Sequence, residues 1–226
     1  MEEHMAHLRS DDYYVEGILH VFSTAHQMGF QATGSKDHAH SFAGQVERRI
    51  PLLGKLQRYR DQGEAMCSLS DVLPSLKRKS EAETWYQRAR DVGAAHGLFT
   101  LECVACMGLG TTALDEGRHE EGLELLRNAL VAAELNELDE PAFEQDALEP
   151  LISALFKTNS IDEVEPLVLR FREAAKARSE KEGVCFAEFK SLLFSAQLHE
   201  VLCLCTPRWE PHTTAHHLPS ARPYSV

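Results

Sequence analysis

The sequence predicts an all-α fold, an α-solenoid of stacked helix–turn–helix hairpins, and three observations carry that expectation. Strand signals are almost absent, while apolar residues recur at spacings of three and four along most of the 226 residues. Residues 109–130, LGTTALDEGRHEEGLELLRNAL, place small and large apolar side chains on two helical faces separated by Gly117. The pattern also occurs upstream: Leu69, Leu73, Ala82, Tyr86 and Ala89 match Leu109, Ala113, Gly122, Leu126 and Ala129 in the same order and at one constant shift. A hairpin with apolar faces on both helices cannot bury them alone, so each unit calls for neighbours of its own kind.

The elements follow in order. Residues 1–10 are polar and read as a flexible N-terminus ahead of a helical domain over 11–205. In 11–30, Val15, Ile18, Leu19, Phe22 and Ala25 mark a helix, with Asp11 or Asp12 as its cap. Residues 31–37, with Gly34 and Ser35, read as a loop. Helix returns over 39–60 through Phe42, Val46, Ile50, Leu53 and Leu56, bent at Pro51. These two segments form a degenerate first hairpin, about 13–60, and the repeated units give hairpins at about 63–97 and 99–136. A looser copy at a slightly larger shift (Leu151, Leu155, Asn159, Val164, Val168, Phe171) gives a fourth at about 142–180. Pro74 falls near the end of a helix. Pro150 implies either that the helix starts at 149–150, with proline in its first turn, or that it kinks there. Residues 184–204 carry Phe186, Phe189, Leu192, Leu193 and Leu198 on a helix without a partner, whose uncovered face suits self-association. Residues 206–226 hold Pro207, Pro211, Pro219 and Pro223 without periodicity and read as a disordered tail.

The Leu109–Gly110 pair, the turn at Gly117 and the small residues Gly122 and Ala129 resemble the tetratricopeptide repeat. Its usual period is about 34 residues. The copies here carry extra residues at 92–101 and 135–145, which is similar to the longer repeats of kinesin-light-chain-type adaptors. The upstream copy has Ser70 and Lys77 where the pattern has Gly, and the downstream copy has Ile152 and Val164 where it has small residues. The resemblance implies a non-enzymatic scaffold or adaptor whose first helices line a concave groove. The groove residues it implies are Glu64, Cys67, Asp71 and Ser75, then Val104, Met107, Thr111, Leu114 and Asp115, then Asp146, Glu149, Ser153 and Phe156. Tetratricopeptide domains that grip a chaperone's C-terminal carboxylate use Lys, Asn and Arg, and none of these occupies those positions. Residues 115–149 instead hold twelve acidic residues against Arg118 and Arg127. A mixed acidic and apolar groove implies a protein or peptide partner carrying Lys or Arg beside an apolar anchor.

Composition excludes several other classes. A net charge of −12 argues against nucleic acid or anionic lipid as the main partner. No apolar run approaches the ~18–20 residues of a membrane span. The acidic start is not a secretory signal, and six cysteines without a framework suggest reduced thiols and a cytoplasmic setting. Cys103 and Cys106 form a lone C-x-x-C on a helix, short of ligands for zinc and better suited to packing. Cys203 and Cys205 with His212, His216 and His217 contain enough donors for a metal but match no zinc-module spacing. No Gly-x-Ser-x-Gly elbow is present, and Gly108 and Gly110 lie within a helix rather than after a strand. His119 stands where the repeat it resembles has an aromatic residue at the turn, which implies packing there as its role. No cofactor is expected, and the competing reading is a helical enzyme or metal-dependent regulator with its site between helices or in the Cys/His tail.

Overall fold

The computed structural model describes residues 2–135, 141–182, 190 and 192–198, and every described element is helical. The order is α1 (Glu2–Thr33), α2 (Lys36–Lys55), α3 (Tyr59–Val72), α4 (Lys79–His96), α5 (Phe99–Asp115), α6 (His119–Glu134), α7 (Pro141–Lys157) and α8 (Val164–Glu182). Short 3-10 turns, Leu73–Leu76 and Ile161–Glu163, close α3 and open α8, and a further helical segment, α9, spans 192–198. Successive helices pack as neighbours, and α3–α5 and α5–α7 also touch. The first helices of the second, third and fourth hairpins therefore lie side by side on one face.

The turns repeat as closely as the helices. Gln57, Lys77, Gly97 and Gly117, evenly spaced along the chain, are left-handed, with φ of 58°, 63°, 63° and 81°, and Asn159 is left-handed too. After each, the next residue's N–H donates to the carbonyl five positions back, as from Arg78 to Leu73 and from Arg118 to Ala113. This closure satisfies carbonyls that the helix end would leave open. Arg78 and Arg118 then bind the acid three residues on, Glu81 and Glu121, and also reach Glu47 and Glu83 on the preceding hairpin's second helix. In both of these repeats an arginine thus ties the turn to its neighbour.

Close approach decides the hairpin geometry. A Cβ at Gly110 would lie 2.8 Å from Leu126 Cγ and 3.0 Å from the Gly122 carbonyl oxygen. One at Gly122 would lie 2.6 Å from Leu114 Cγ, so α5 and α6 meet where neither has a side chain. Helix α5 serves both cores: Leu101, Ala105 and Leu109 join the cluster built from α2 to α4, while Cys103 and Cys106 join that built from α6 to α8. A helix sandwiched this way carries apolar residues on two sides, with its polar residues confined to the strip left open.

Several boundaries differ from the sequence reading. Helix α1 begins at Glu2 rather than being capped by Asp11 or Asp12, and it continues to Thr33, leaving only Gly34 and Ser35 between α1 and α2. Gly34 takes a φ of 66°, which alone supplies the reversal. The helix expected over 39–60 is two: α2 ends at Lys55, Gln57 turns the chain, and Arg60 belongs to α3. Helix α7 starts at Pro141 and runs through Pro150, so neither a start at 149–150 nor loss of Asp146 and Glu149 from this helix occurs. Proline at the first helical position lacks only an N–H that would have no intrahelical partner. The tail at 206–226 and most of 184–204 lie outside the described residues. Of the latter, Phe194 packs edge-on to Phe171 at 5.2 Å and Leu198 is buried, while Leu192 and Leu193 are exposed.

Candidate functional site

The adjacent first helices give α3, α5 and α7 a shared surface. The α3–α5 spacing is set by Gly63, where a Cβ would lie 2.0 Å from Leu101 Cδ2; the leucine fills the notch and draws the helices together. Beside it opens a mostly apolar pocket of about 120 Å³, lined by Arg60, Glu64, Cys67, Thr100, Val104 and Phe143 among others. A more polar pocket of about 240 Å³ lies between α1, α2 and α3, with Phe42 and Val46 on α2 and with Arg49, Arg58 and Asp61 among its polar groups. Glu64 lines both.

The residues implied for the groove separate into two groups. Glu64, Val104, Thr111 and Asp115 are exposed, and the last three follow one stripe along α5. Cys67 is buried at the pocket wall, its thiol pushed up to about 12 by burial and by the charges of Asp71 and Glu64. Neither Glu64 nor Asp115 has an ion-pair partner among the described residues. Asp115 also ends α5, where the helix dipole opposes a negative charge.

The second group is engaged within the fold. Asp71 accepts a hydrogen bond from the Tyr86 hydroxyl across the hairpin; desolvation raises its carboxyl and that bond opposes the rise. Tyr86 in turn lies against Gly108, where a Cβ would come 2.3 Å from its ring. Leu114 packs on Gly122, and Met107 packs partly buried against the core. Asp146 pairs with Arg178 at 3.3 Å and Glu149 with Lys190 at 2.5 Å, so their charge is compensated. Phe156 stacks on Phe194 of α9, 6.5 Å between centroids, and Ser153 is half-buried.

The polar pocket has almost no signature in the sequence. Its framework is Glu16, 4% exposed on α1, which accepts from Arg49 Nε and Arg58 Nη1, each at 2.7 Å. The only sequence signal is a lone acid in the otherwise uncharged stretch 13–35, with its arginines 33 and 42 residues away.

Cys103 and Cys106 are buried free thiols; burial pushes Cys103 up to about 12 and raises Cys106 against the opposing charge of Arg90. No three His, Cys, Asp or Glu side chains converge as a metal site among the described residues. Cys203, Cys205, His212, His216 and His217 lie outside them.

Neither a protein-family model nor a curated protein sequence matches the chain. Solved structures do. A putative kinesin light chain of Podosopora anserina with nearly identical TPR-like repeats aligns over 84% of this chain and 98% of its own, at 11% identity and a TM-score of 0.53. A second crystal structure of that protein, a single-residue variant, aligns over 84% and 95%, at 12% identity and 0.54. At such identity the likeness speaks for the fold. Hairpins of adjacent helices, first helices sharing one face, and a left-handed turn returning at even intervals agree with it: the chain has the tetratricopeptide-like α-solenoid fold.

Proposed function

We propose that this protein is a non-enzymatic interaction scaffold that holds a peptide or helix against the face formed by α3, α5 and α7. Repeats of this fold are protein-interaction scaffolds in general, which is the prior for the reading. The observation that carries the finer statement is Glu64, an acid without an ion pair where the apolar pocket meets the polar one. With Asp115 along the same surface, it favours a ligand that presents Lys or Arg beside an apolar side chain. The apolar anchor enters between Val104 and Phe143. Leu114 and Met107, apolar residues of the implied groove, contribute less, because both are partly buried against the core. The acidic contribution likewise narrows to Glu64 and Asp115, with Asp71 beside them held by the Tyr86 hydroxyl, since Asp146 and Glu149 are ion-paired within the chain.

Fluorescence anisotropy with labelled amphipathic Lys/Leu peptides, against Glu/Leu controls of the same length, tests the proposal. Binding of the basic peptides is expected to weaken as salt rises, because exposed charge attraction is screened. Glu64→Lys with Asp115→Lys should chiefly slow association and flatten the salt dependence, and Val104→Glu should speed dissociation. Equal binding of the acidic peptides, or indifference to all three substitutions, refutes the groove.

A further inference from the structure

The outer face of α1 is apolar without being core. Tyr13, Tyr14, Val21, Phe22 and Met28 are 51%, 73%, 65%, 54% and 64% exposed, with Ile18 at 40% between them. On a helix of 3.6 residues per turn, Tyr14, Ile18, Val21, Ala25 and Met28 form one stripe about 21 Å long. Between Asp12 and Lys36 the sole residue with a formal charge is Glu16, and it points inward to Arg49 and Arg58. The stripe is therefore free of formal charge in a chain of net charge −12.

We infer that α1 pairs with α1 of a second copy, antiparallel about a twofold axis at Val21. Three observations select this occupant. From the exposures of its residues, the stripe amounts to roughly 500 Å² per copy, or about 1,000 Å² for the pair, the size at which a specific interface begins. Two charge-free faces desolvate no ion when they meet, whereas a charged partner would find nothing here to pair with. Gly17 has no neighbouring atom within 4 Å of the position of a Cβ, so the flank of the stripe is open to a second helix at close range. The axis is self-consistent: it sets Tyr14 of one copy beside Met28 of the other, a sulfur–aromatic contact, and Gly17 beside Ala25. Two solenoids then join end to end with their concave faces free.

Sedimentation velocity and light scattering on the full chain test this. The wild type is expected to dimerise, and Val21→Glu to weaken dimerisation at least ~100-fold, because the axis brings both new carboxylates together without water. Circular dichroism and melting of that variant should otherwise match those of its monomer, since residue 21 touches no core. Mild oxidation is expected to link Val21→Cys to itself, and Tyr14→Cys only to Met28→Cys in a mixture. A Tyr14→Cys self-link overturns the antiparallel geometry. A dimer untouched by Val21→Glu overturns the site. A monomeric wild type that dimerises once residues 206–226 are removed assigns the stripe to the chain's own tail. One that stays monomeric without them leaves the stripe to a different protein, and either result overturns the inference.

Discussion

Replacing Gly110 with alanine separates local from tertiary control of this fold. An Ala in a helix interior is favoured over Gly by up to ~1 kcal/mol, so propensity alone predicts a gain. The added Cβ would meet Leu126 Cγ at 2.8 Å, Leu126 Cδ2 at 2.9 Å and the Gly122 carbonyl oxygen at 3.0 Å. Leu126 is fully buried, and the carbonyl belongs to the facing backbone, so neither gives way without moving α6. Overpacking of this kind costs about 1–3 kcal/mol, which cancels the gain at the least and leaves a net loss of up to about 2 kcal/mol. Gly44→Ala is the internal control: no atom lies within 4 Å of its Cβ position, so it should stabilise by ~0.5–1 kcal/mol. Leu126→Ala alone should cost about 2–5 kcal/mol. Combined with Gly110→Ala, it should cost less than the sum, because the new methyl enters space that the leucine vacated. Urea unfolding followed by circular dichroism reads all four proteins. A Gly110→Ala protein as stabilised as Gly44→Ala, or strict additivity with Leu126→Ala, refutes the close crossing of α5 and α6.

Three further outcomes are expected. Glu16→Ala leaves Arg49, 11% exposed, without its counter-charge and should destabilise by about 3 kcal/mol in the same assay, whereas Glu121→Ala at the exposed Arg118 pair should cost under ~1 kcal/mol. Cys67 and Cys103 lose their protons near 9 when unfolded and near 12 when folded, so above pH 9 the unfolded chain binds fewer protons. Stability should then fall by up to about 1.4 kcal/mol per pH unit per thiol until about pH 12, and fall less steeply in a Cys67→Ala, Cys103→Ala double variant. Deleting residues 206–226 should leave the melting temperature unchanged, because the tail carries no periodic apolar face; a marked drop would show that it docks.

The proposed groove was legible in outline only. Its helices and register came from the constant shift between repeats, which places Glu64 opposite Val104 and Asp71 opposite Thr111. Which acids carry uncompensated charge depends on cations such as Arg178 and Lys190, which approach from other segments. No spacing along one helix encodes those approaches. Pro150 is a similar case: the sequence left open a helix start at 149–150 or a longer helix running through the proline, and α7 is the longer one, starting at Pro141. The polar pocket escaped notice because Glu16 and its arginines come from three separate segments.

Local chemistry in the sequence determined the hairpins themselves. Apolar spacing, Gly117 at its turn and small residues at 110 and 122 each act within a single hairpin, and short-range signals of that kind survive in a linear reading. The tertiary structure decided what faces what: that α5 is covered on both sides, that Asp71 turns to Tyr86, and that the aromatic stripe of α1 is left outside the core. Those outcomes follow from the packing of whole hairpins, where a side chain's fate depends on the neighbour stacked against it.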